Sequence, residues 1–252
     1  MIRILMSGCS GRMGKVIAEL AADDPEVTIA AGVDVFGESG AFPVFRTFAE
    51  VDVETDVIVD FSSPKAFDDM MAFAREKKLP VVLCTTGLSE EQIGSLDETV
   101  KEIPVLRSAN MSLGVNLLLK LVKDAARALA PAGFDIEIVE RHHNRKKDAP
   151  SGTALALADS INESLGGSRT YVYDRSGRLQ ERDKAEIGIS AVRGGTIPGT
   201  HEVIFAGTDE VIELNHIAYS RSIFGKGALI AAKYLAGKTP GLYTMADAIS
   251  QP

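Results

Sequence analysis

The chain has 252 residues, of which 45% are hydrophobic and 25% are charged, and its formal net charge at pH 7 is −8. These proportions are typical of a soluble protein with a substantial core. No apolar stretch approaches the ~20 residues that a membrane-spanning helix needs, and the apolar run after Arg3 is too short for a signal peptide. The acidic balance argues against nucleic acid as a general partner. We therefore expect a cytoplasmic protein with neither a membrane nor a nucleic-acid partner.

A glycine-rich turn follows the first apolar run of the sequence. Residues 2–6 are apolar except for Arg3, and Gly8, Gly11 and Gly14 come next, followed by apolar residues at helical spacing. This order of strand, glycine turn and helix is typical of dinucleotide-binding proteins. The next apolar run ends in Asp34, where an acid that binds a ribose hydroxyl is expected. Taken alone, the glycines are equally consistent with an ordinary turn. For Asp34, the spacing favours the ribose role over that of a turn or cap residue.

Strands and helices continue to alternate through the first half. Apolar runs in "DVIVDFSSP", "PVVLCTTG" and "PVLRSANMS" predict three more strands, with helices at 65–77 and after Ser89. The alternation predicts a doubly wound parallel sheet, whose ligands lie outside the carboxyl ends of the strands. We expect that edge to carry Phe61, Ser62, Ser63, Thr85, Thr86, Gly87, Ala109, Asn110, Met111 and Ser112.

The second half contains consecutive strands instead. An amphipathic helix runs from Ser112 towards Leu129, and "FDIEIVE" then alternates apolar and charged residues as a half-buried strand does. Further strands are predicted at "EIGISAVRGG", "HEVIFAG" and "EVIELNHIA", and a final helix near 223–235. Consecutive strands predict a mixed or antiparallel sheet with one free face. Because such a face commonly packs against another copy, we expect a homo-oligomer.

The segment "ERHHNRKKDAPSGTA" places two histidines among basic residues just before a helix start. The cations are Arg141, Arg145, Lys146 and Lys147. Pro150 and Ser151 are typical of the beginning of a helix, whose first turn offers N–H groups and the positive end of the dipole. The segment therefore predicts an anion site, although a solvated charged loop has a similar composition.

The same segment resembles the signature of the 4-hydroxy-tetrahydrodipicolinate reductase (dihydrodipicolinate reductase) family. The motifs "GCSGRMG", "CTTG", "SANMSLGVN" and "SRSIFGKGA" are also similar to those of the family and occur in order. The resemblance implies an α/β fold: a Rossmann dinucleotide-binding domain made of 1–111 and 222–252, and an α+β domain, 112–221, with a mixed, largely open sheet. The second domain would bind substrate and build a homotetramer.

The resemblance also implies an activity and a role for each matching residue. A hydride from NADH or NADPH would reduce a cyclic dicarboxylic imine, the hydroxylated form or its dehydrated product, to tetrahydrodipicolinate in diaminopimelate and lysine biosynthesis. His142 would be the proton donor and Lys146 its catalytic partner. The substrate-binding residues would be His143, Ser151, Gly152, Thr153 and Arg221.

The expected cofactor contacts come from the glycine pattern and from the resemblance together. They are Gly8, Gly11, Arg12, Met13, Gly14, Asp34, Phe61, Thr85, Thr86, Gly87, Ala109, Asn110 and Met111. Asp34 can accept hydrogen bonds from a ribose hydroxyl but would repel a 2′-phosphate. Apolar Val35 and Phe36 follow it, where relatives that use NADPH well often carry a basic residue. We expect NADH to serve at least as well as NADPH, with Arg12 and Arg46 the nearby cations.

Three other interpretations are weighed against this one. A metal site is disfavoured, because adjacent histidines on a strand point to opposite faces and neither HExxH nor CxxC occurs. A semialdehyde dehydrogenase would need a nucleophilic cysteine, for which Cys9 in the glycine turn and Cys84 at a strand end are poorly placed. A non-catalytic nicotinamide sensor would have no use for His142 and Lys146 together.

Overall fold

The structure is a computed structural model that describes residues 1–37, 40–108 and 110–250. It divides into two compact units, one made of Met1–Leu113 and Arg221–Pro252 and the other of Gly114–Ser220. The functions that the sequence suggests for its two domains remain predictions.

A parallel sheet forms the centre of the first unit. Its strands within the described ranges are β1 (Ile2–Ser7), β2 (Val27–Val33), β3 (Val44–Phe45), β4 (Val57–Asp60), β5 (Val81–Leu83), β6 (Pro104–Arg107) and β12 (Gly241–Tyr243). They lie in the order β12-β6-β5-β4-β1-β2-β3, and every pair is parallel. The predicted doubly wound sheet is confirmed. β3 and β12 were missed, because a strand of two or three residues has no measurable periodicity.

Helices cover both faces of this sheet. They are α1 (Arg12–Ala22), α2 (Phe67–Lys77), α3 (Glu90–Thr99), α6 (Ser222–Leu235) and α7 (Met245–Ser250). On β1, Ile4 and Met6 pack on the side of α1 and α6, whereas Leu5 packs with Phe67 and Leu96 on the side of α2 and α3. Burial on both sides explains why β1 has a nearly continuous apolar sequence. The helix expected from residue 65 begins two residues later, after a 3₁₀ turn at Pro64–Ala66.

The second unit is a mixed sheet with helices on one face. Its elements in the described chain are α4 (Leu113–Leu129), β7 (Asp135–His142), α5 (Gly152–Ser164), β8 (Thr170–Val172), β9 (Glu186–Arg193), β10 (Gly199–Ala206) and β11 (Val211–Ala218). The strand order is β11-β10-β7-β9-β8. β9 is parallel to β7 and β8, whereas β10 is antiparallel to β7 and β11. The predicted mixed sheet is confirmed, and the three-residue β8 was missed.

Alternation along β7 determines which of its side chains enter the core. Ile136 and Ile138 are buried with Val203 and Phe205 against Leu157 and other residues of α4 and α5. The residues between them, including Val139, are only partly buried. At the edge of the sheet, β11 exposes apolar side chains. Within the described residues, the helices of this unit pack together in one core with the sheet and leave its other face without a helix. None of the described helices is long and apolar enough to cross a membrane.

Candidate functional site

The glycine turn between β1 and α1 leaves a helix N-terminus open. Gly8 has a φ of 79°, and a Cβ there would lie 2.7 Å from the carbonyl oxygen of Phe61. A Cβ at Gly14 would lie 2.5 Å from the carbonyl oxygens of Gly8 and Cys9, so α1 packs closely on the turn. Gly11 is the N-cap of α1 and provides no capping side chain. The first-turn N–H groups of α1 therefore form the kind of cradle that binds a pyrophosphate.

Asp34 joins the end of β2 to this turn. Its Oδ2 accepts a hydrogen bond from the N–H of Ser10 at 3.0 Å, and its Oδ1 accepts one from the N–H of Phe36 at 3.0 Å. The carboxylate is thus fixed beside the glycine turn, with lone pairs left for a ribose hydroxyl. Asp34 can therefore stabilise the turn and still bind a ribose hydroxyl, so the two roles considered in the sequence analysis are compatible.

A cavity of about 560 Å³ opens beside Asp34. Its lining includes Gly8, Gly11, Asp34, Phe36, Arg46 and Lys65. Phe36 is 82% exposed and offers an aromatic face at the rim. Of the expected cations, Arg46 lines the cavity, and Lys65, which sequence reasoning did not select, lines it too. Arg12 and Met13 lie instead in the first turn of α1.

The carboxyl ends of β4 and β5 place further expected residues. Phe61 follows β4 and lines the cavity. Thr85, Thr86 and Gly87 follow β5, and the Oγ1 atom of Thr85 is buried without a hydrogen-bond partner among the described residues. Such an atom is a position for a polar group of a ligand. Gly87 has a φ of 77°, which favours glycine.

The segment after β6 is only partly described. Ala109 lies outside the described residues. Asn110 accepts a hydrogen bond from the N–H of Ser112 through Oδ1 at 2.8 Å, which shapes the turn. Met111 belongs to the core, and its carbonyl oxygen would be 1.7 Å from a Cβ at Gly227. Any contact of Met111 with a cofactor therefore falls to its backbone.

In the second unit, the alternation of β7 continues beyond its apolar residues. Glu140 and His142 lie on the same buried side of the strand as Ile136 and Ile138, with exposures of 0% and 8%. The Nδ1 atom of His142 is 2.6 Å from Oε2 of Glu140. In the register of the sheet, Arg193 of β9 pairs with His142. The neighbouring strand thus brings a guanidinium to the carboxylate.

Glu140 is surrounded by hydrogen-bond donors. Nη1 and Nη2 of Arg193 donate to its two oxygens at 2.7 Å each, and the N–H of Ser151 donates to Oε1 at 2.9 Å. Burial by itself raises the pKa of Glu140, but the hydrogen bonds from Arg193, His142 and Ser151 outweigh it and lower the pKa below its usual value. The carboxylate is therefore ionised near neutral pH.

Burial also governs the pKa of His142. Desolvation lowers this pKa below its usual value, the contact with Glu140 offsets part of the effect, and the charges of Lys146 and Arg193 lower it further. His201 of β10 packs edge-on against the His142 ring, with centroids 5.1 Å apart. Burial lowers the pKa of His201 to about 4. Both rings are thus neutral at pH 7 when nothing is bound.

The basic segment after β7 is held at the same end of the strand. His143 is half-buried, and its Nδ1 atom is buried with no hydrogen-bond partner in the described part of the chain. Nζ of Lys146 forms an ion pair with Asp148 at 2.9 Å. Arg145 and Lys147 are exposed, as a solvated loop would have them. The structure therefore separates Lys146, which is held near His142, from its exposed neighbour Lys147.

Ser151 is the N-cap of α5, and its polar groups have partners within the protein. Its Oγ accepts a hydrogen bond from the N–H of Ala154 at 3.2 Å and lies 3.0 Å from Nε2 of His201. Its N–H is bound to Glu140. Ser151 thus builds the helix start, and Gly152 and Thr153 lie in the first turn of α5. The expected binding of a substrate carboxylate by these three residues remains a prediction.

Arg221 lies in the first unit, as the exposed N-cap residue of α6, whereas the other expected substrate residues lie in the second. Its expected role remains a prediction.

Sequence reasoning missed Glu140 and His201, and for Arg193 it could not decide between binding a ligand and shaping a bend. The signal for Glu140 was available, because counting in steps of two along "FDIEIVERHH" places it on the buried face with His142. The partners could not be found in this way. Arg193 and His201 reach Glu140 through the order and register of β9 and β10, which no local pattern specifies.

The two cysteines have environments unlike that of a nucleophile. Cys9 is buried, and burial raises the pKa of its thiol. Burial also raises the pKa of the Cys84 thiol well above its usual value. Reactive cysteines have a lowered pKa, so neither residue supports a thiol-dependent dehydrogenase.

Comparisons with known proteins cover both units. The family model described as "Dihydrodipicolinate reductase, N-terminus" matches residues 2–111, and that described as "Dihydrodipicolinate reductase, C-terminus" matches residues 114–249. The 4-hydroxy-tetrahydrodipicolinate reductase of Caldanaerobacter subterraneus subsp. tengcongensis is 55% identical over 251 residues, which are 100% of this chain and 99% of that protein. The reductase of the same name from Clostridium novyi is 49% identical over 250 residues, 99% and 98% of the two chains.

A solved structure is similar to the whole fold. It is the dipicolinate-bound dihydrodipicolinate reductase from Paenisporosarcina sp. TG-14, which matches with a TM-score of 0.81 over 97% of each chain. The two sequences are only 23% identical, so this likeness bears on the fold alone.

Proposed function

The chain belongs to the dihydrodipicolinate reductase family, and from that premise we propose that it catalyses the NAD(P)H-dependent reduction of 4-hydroxy-tetrahydrodipicolinate, or of its dehydrated form, to tetrahydrodipicolinate. This reaction belongs to diaminopimelate and lysine biosynthesis. The observation that carries the proposal is the contact of Glu140 with His142, with Lys146 and the start of α5 nearby. Glu140 thus links His142, the candidate proton donor, to the start of α5, the candidate site for a substrate carboxylate.

The first unit has the features that a nicotinamide dinucleotide requires. Gly8 and the uncapped start of α1 would hold the pyrophosphate, and Asp34 would accept hydrogen bonds from a ribose. The orphaned Oγ1 of Thr85 would meet a polar group of the cofactor. When bound, NAD(P)H supplies the hydride that reduces the imine.

Two carboxylates on the substrate account for the cations of the second unit. One carboxylate would bind at the first turn of α5, where N–H groups and the helix dipole favour an anion. Lys146 and the unpartnered Nδ1 of His143 would provide further donors. Such charge-assisted contacts fix the orientation of a planar ring as well as its affinity.

His142 would supply the proton that accompanies hydride transfer. Its lowered pKa leaves it neutral in the free protein, but a bound dianion would raise that pKa and favour the protonated ring. The imidazolium then gives up one proton to the atom next to the reduced carbon and returns to the neutral form. If the substrate is the hydroxylated form, its hydroxyl group leaves as water before the hydride is transferred. Lys146 would stabilise the negative charge that develops on the substrate.

We also propose an oligomeric state and a location for the protein. The helix-free face of the second sheet, continued by the exposed apolar residues of β11, supports packing against another copy, and the family resemblance suggests a homotetramer. The enzyme would act on a small dicarboxylate in the cytoplasm.

The experiment that tests the proposal is a coupled assay with freshly made substrate, following NAD(P)H absorbance. The expected result is oxidation that depends on the imine and is lost in Lys146→Ala. Dinucleotide binding without turnover would favour a sensor, and turnover of a semialdehyde but not of the imine would favour the other reductase class. Either result would contradict the proposal.

A further inference from the structure

Every acceptor position of Glu140 is occupied. An ionised carboxylate offers about four lone-pair sites. Oε1 receives the N–H of Ser151 at 2.9 Å and Nη2 of Arg193 at 2.7 Å, while Oε2 receives Nη1 of Arg193 at 2.7 Å and faces Nδ1 of His142 at 2.6 Å. Backbone N–H and guanidinium groups can only donate. The carboxylate therefore has no proton to give to His142, and the proton in the fourth contact must belong to Nδ1.

The other ring nitrogen of His142 is thereby left for chemistry. When Nδ1 of a histidine carries a fixed proton, Nε2 is the nitrogen that gains and loses one. A Cβ at Gly199 would lie 3.1 Å from Nε2 of His142, so the glycine leaves space where any other residue would crowd that nitrogen. The backbone of β10 thus packs closely beside Nε2 without a side chain in the way.

The carboxylate also connects two parts of the candidate site. It holds Nδ1 of His142 at the end of β7 and the N–H of Ser151 at the start of α5. The orientation of the proton donor is thus tied to the position of the helix that would bind a substrate carboxylate. Arg193 fixes the carboxylate itself through two parallel hydrogen bonds.

We propose that Glu140, held by Arg193, is a positioning residue that keeps one proton of His142 on Nδ1 and reserves Nε2 for proton delivery to the substrate. The proposal rests on the donor role of His142 proposed above. The titratable and charged groups that act on His142 are Glu140 on its own strand, Lys146 in the following loop, Arg193 on β9 and His201 on β10. Of these, Glu140 alone favours the protonated ring.

The test is Glu140→Gln in the full-length protein. An amide has one acceptor oxygen, so its nitrogen must face at least one of the four donors, and the neutral His142 ring is the group that can adapt, by moving its proton to Nε2. We expect nitrogen chemical shifts of ¹⁵N-labelled histidine to report a loss of the Nδ1–H form. The titration midpoint of His142 and the high-pH limb of the kcat profile should both move to lower pH, because the negative charge that favours the protonated ring is gone.

We expect kcat of this variant to fall at least ~10-fold, since a misplaced imidazole proton is costly in catalysis. The NADH dissociation constant should stay within about twofold.

Glu202→Gln is the matched control. Glu202 also binds an arginine, Arg141, at 2.7 Å, but among the described residues it has no hydrogen bond or ion pair with a histidine ring. The Glu202→Gln substitution should change neither the nitrogen chemical shifts of His142 nor the pH profile of kcat. If Glu140→Gln does not fold, the double variant Glu140→Gln/Arg193→Met removes the stranded guanidinium as well and gives the same tautomer readout.

The outcomes separate the two proposals. Unchanged nitrogen shifts of His142 in the folded Glu140 variant overturn the positioning role, whatever happens to the rate. A normal kcat in His142→Gln instead overturns the donor role, and that measurement does not involve Glu140.

Discussion

His142 is the side chain whose replacement best separates catalysis from binding. If it protonates the substrate as the hydride arrives, it acts mainly in the transition state, so His142→Gln should lower kcat far more than it changes NADH affinity. General acid catalysis is worth ~10²–10⁴-fold, and the loss should fall in that range. Steady-state rates and NADH dissociation constants measured side by side check this. A defect explained by lost NADH binding would mean that the proton comes from elsewhere.

Asp34 determines the expected choice between the two cofactors. Its carboxylate is fixed by Ser10 and Phe36 beside the cavity and would repel a 2′-phosphate, so kcat/KM for NADH should equal or exceed that for NADPH. Arg46 and Lys65 line the same cavity, and replacing either by alanine should weaken NADPH about tenfold but NADH little, because a charge-assisted contact to phosphate would be lost. Titration of both cofactors at low salt is the measurement. A strong NADPH preference in the unaltered protein would contradict the argument from Asp34.

Single residues also mark the limit of sequence reasoning. His142 and Lys146 were selected because one short segment resembles the signature of a known family, and their roles remain predictions. Ser151 was assigned to substrate binding, yet its hydroxyl and N–H are used by Ala154, His201 and Glu140. Ala154 is a local partner, but Glu140 and His201 are distant in sequence, so no local pattern could predict their contacts with Ser151. The expected contact of Ser151 with substrate remains a prediction.

The start of α5 is the element on which substrate recognition is expected to depend. A planar aromatic ring with carboxylates on both sides of its nitrogen should inhibit competitively with the substrate. Thr153→Val and Lys146→Ala should each weaken this inhibitor about tenfold or more, because each removes a charge-assisted hydrogen bond.

Lys147→Ala is the control for this inhibitor. Lys147 is exposed and adjacent in sequence to Lys146, so it tests whether charge alone is sufficient. Inhibition constants measured for Thr153→Val, Lys146→Ala and Lys147→Ala show which of these side chains binds the inhibitor. Sensitivity at Lys147 instead of Lys146 would mean that the register of the loop is assigned wrongly.

Long elements were predictable and short ones were not. β7 and α4 have clear periods of two and 3.6, and the alternation of β1, α1 and β2 predicted the parallel sheet. β3 and β8 contain only two and three residues, too few for a period to be recognised. The order of strands in the second unit depends on pairing between distant segments, so the sequence predicted a mixed sheet without its order.

Buried histidines predict how the stability of the whole protein depends on pH. Burial lowers the pKa of His201 to about 4 and also lowers those of His142 and His216, whereas an unfolded histidine titrates near ~6.5. The unfolded state therefore binds more protons between these values, and the free energy of unfolding should fall as pH drops from ~6.5 towards 4.

His201→Asn tests this assignment by urea unfolding at pH 7, 5.5 and 4.5. The stability of the unaltered protein should decrease across this series, with His201 contributing up to about 3 kcal/mol. The variant should start less stable, because it loses the contact with Ser151, but should show a shallower decrease. Equal slopes for the two proteins would show that other groups cause the acid sensitivity.

The return of α6 to the first unit also has a consequence for biosynthesis. Ala228, Leu229, Ala232 and Leu235 of α6 belong to the core that covers one face of the parallel sheet. The ribosome makes all of the second unit before it makes this helix, so α1 is in place while the part of that face covered by α6 is still bare. The second unit, by contrast, is one uninterrupted segment. Nascent chains that stall before Ser222 would therefore present an apolar surface to chaperones and proteases. The ability to bind a dinucleotide would be acquired only after α6 has been made.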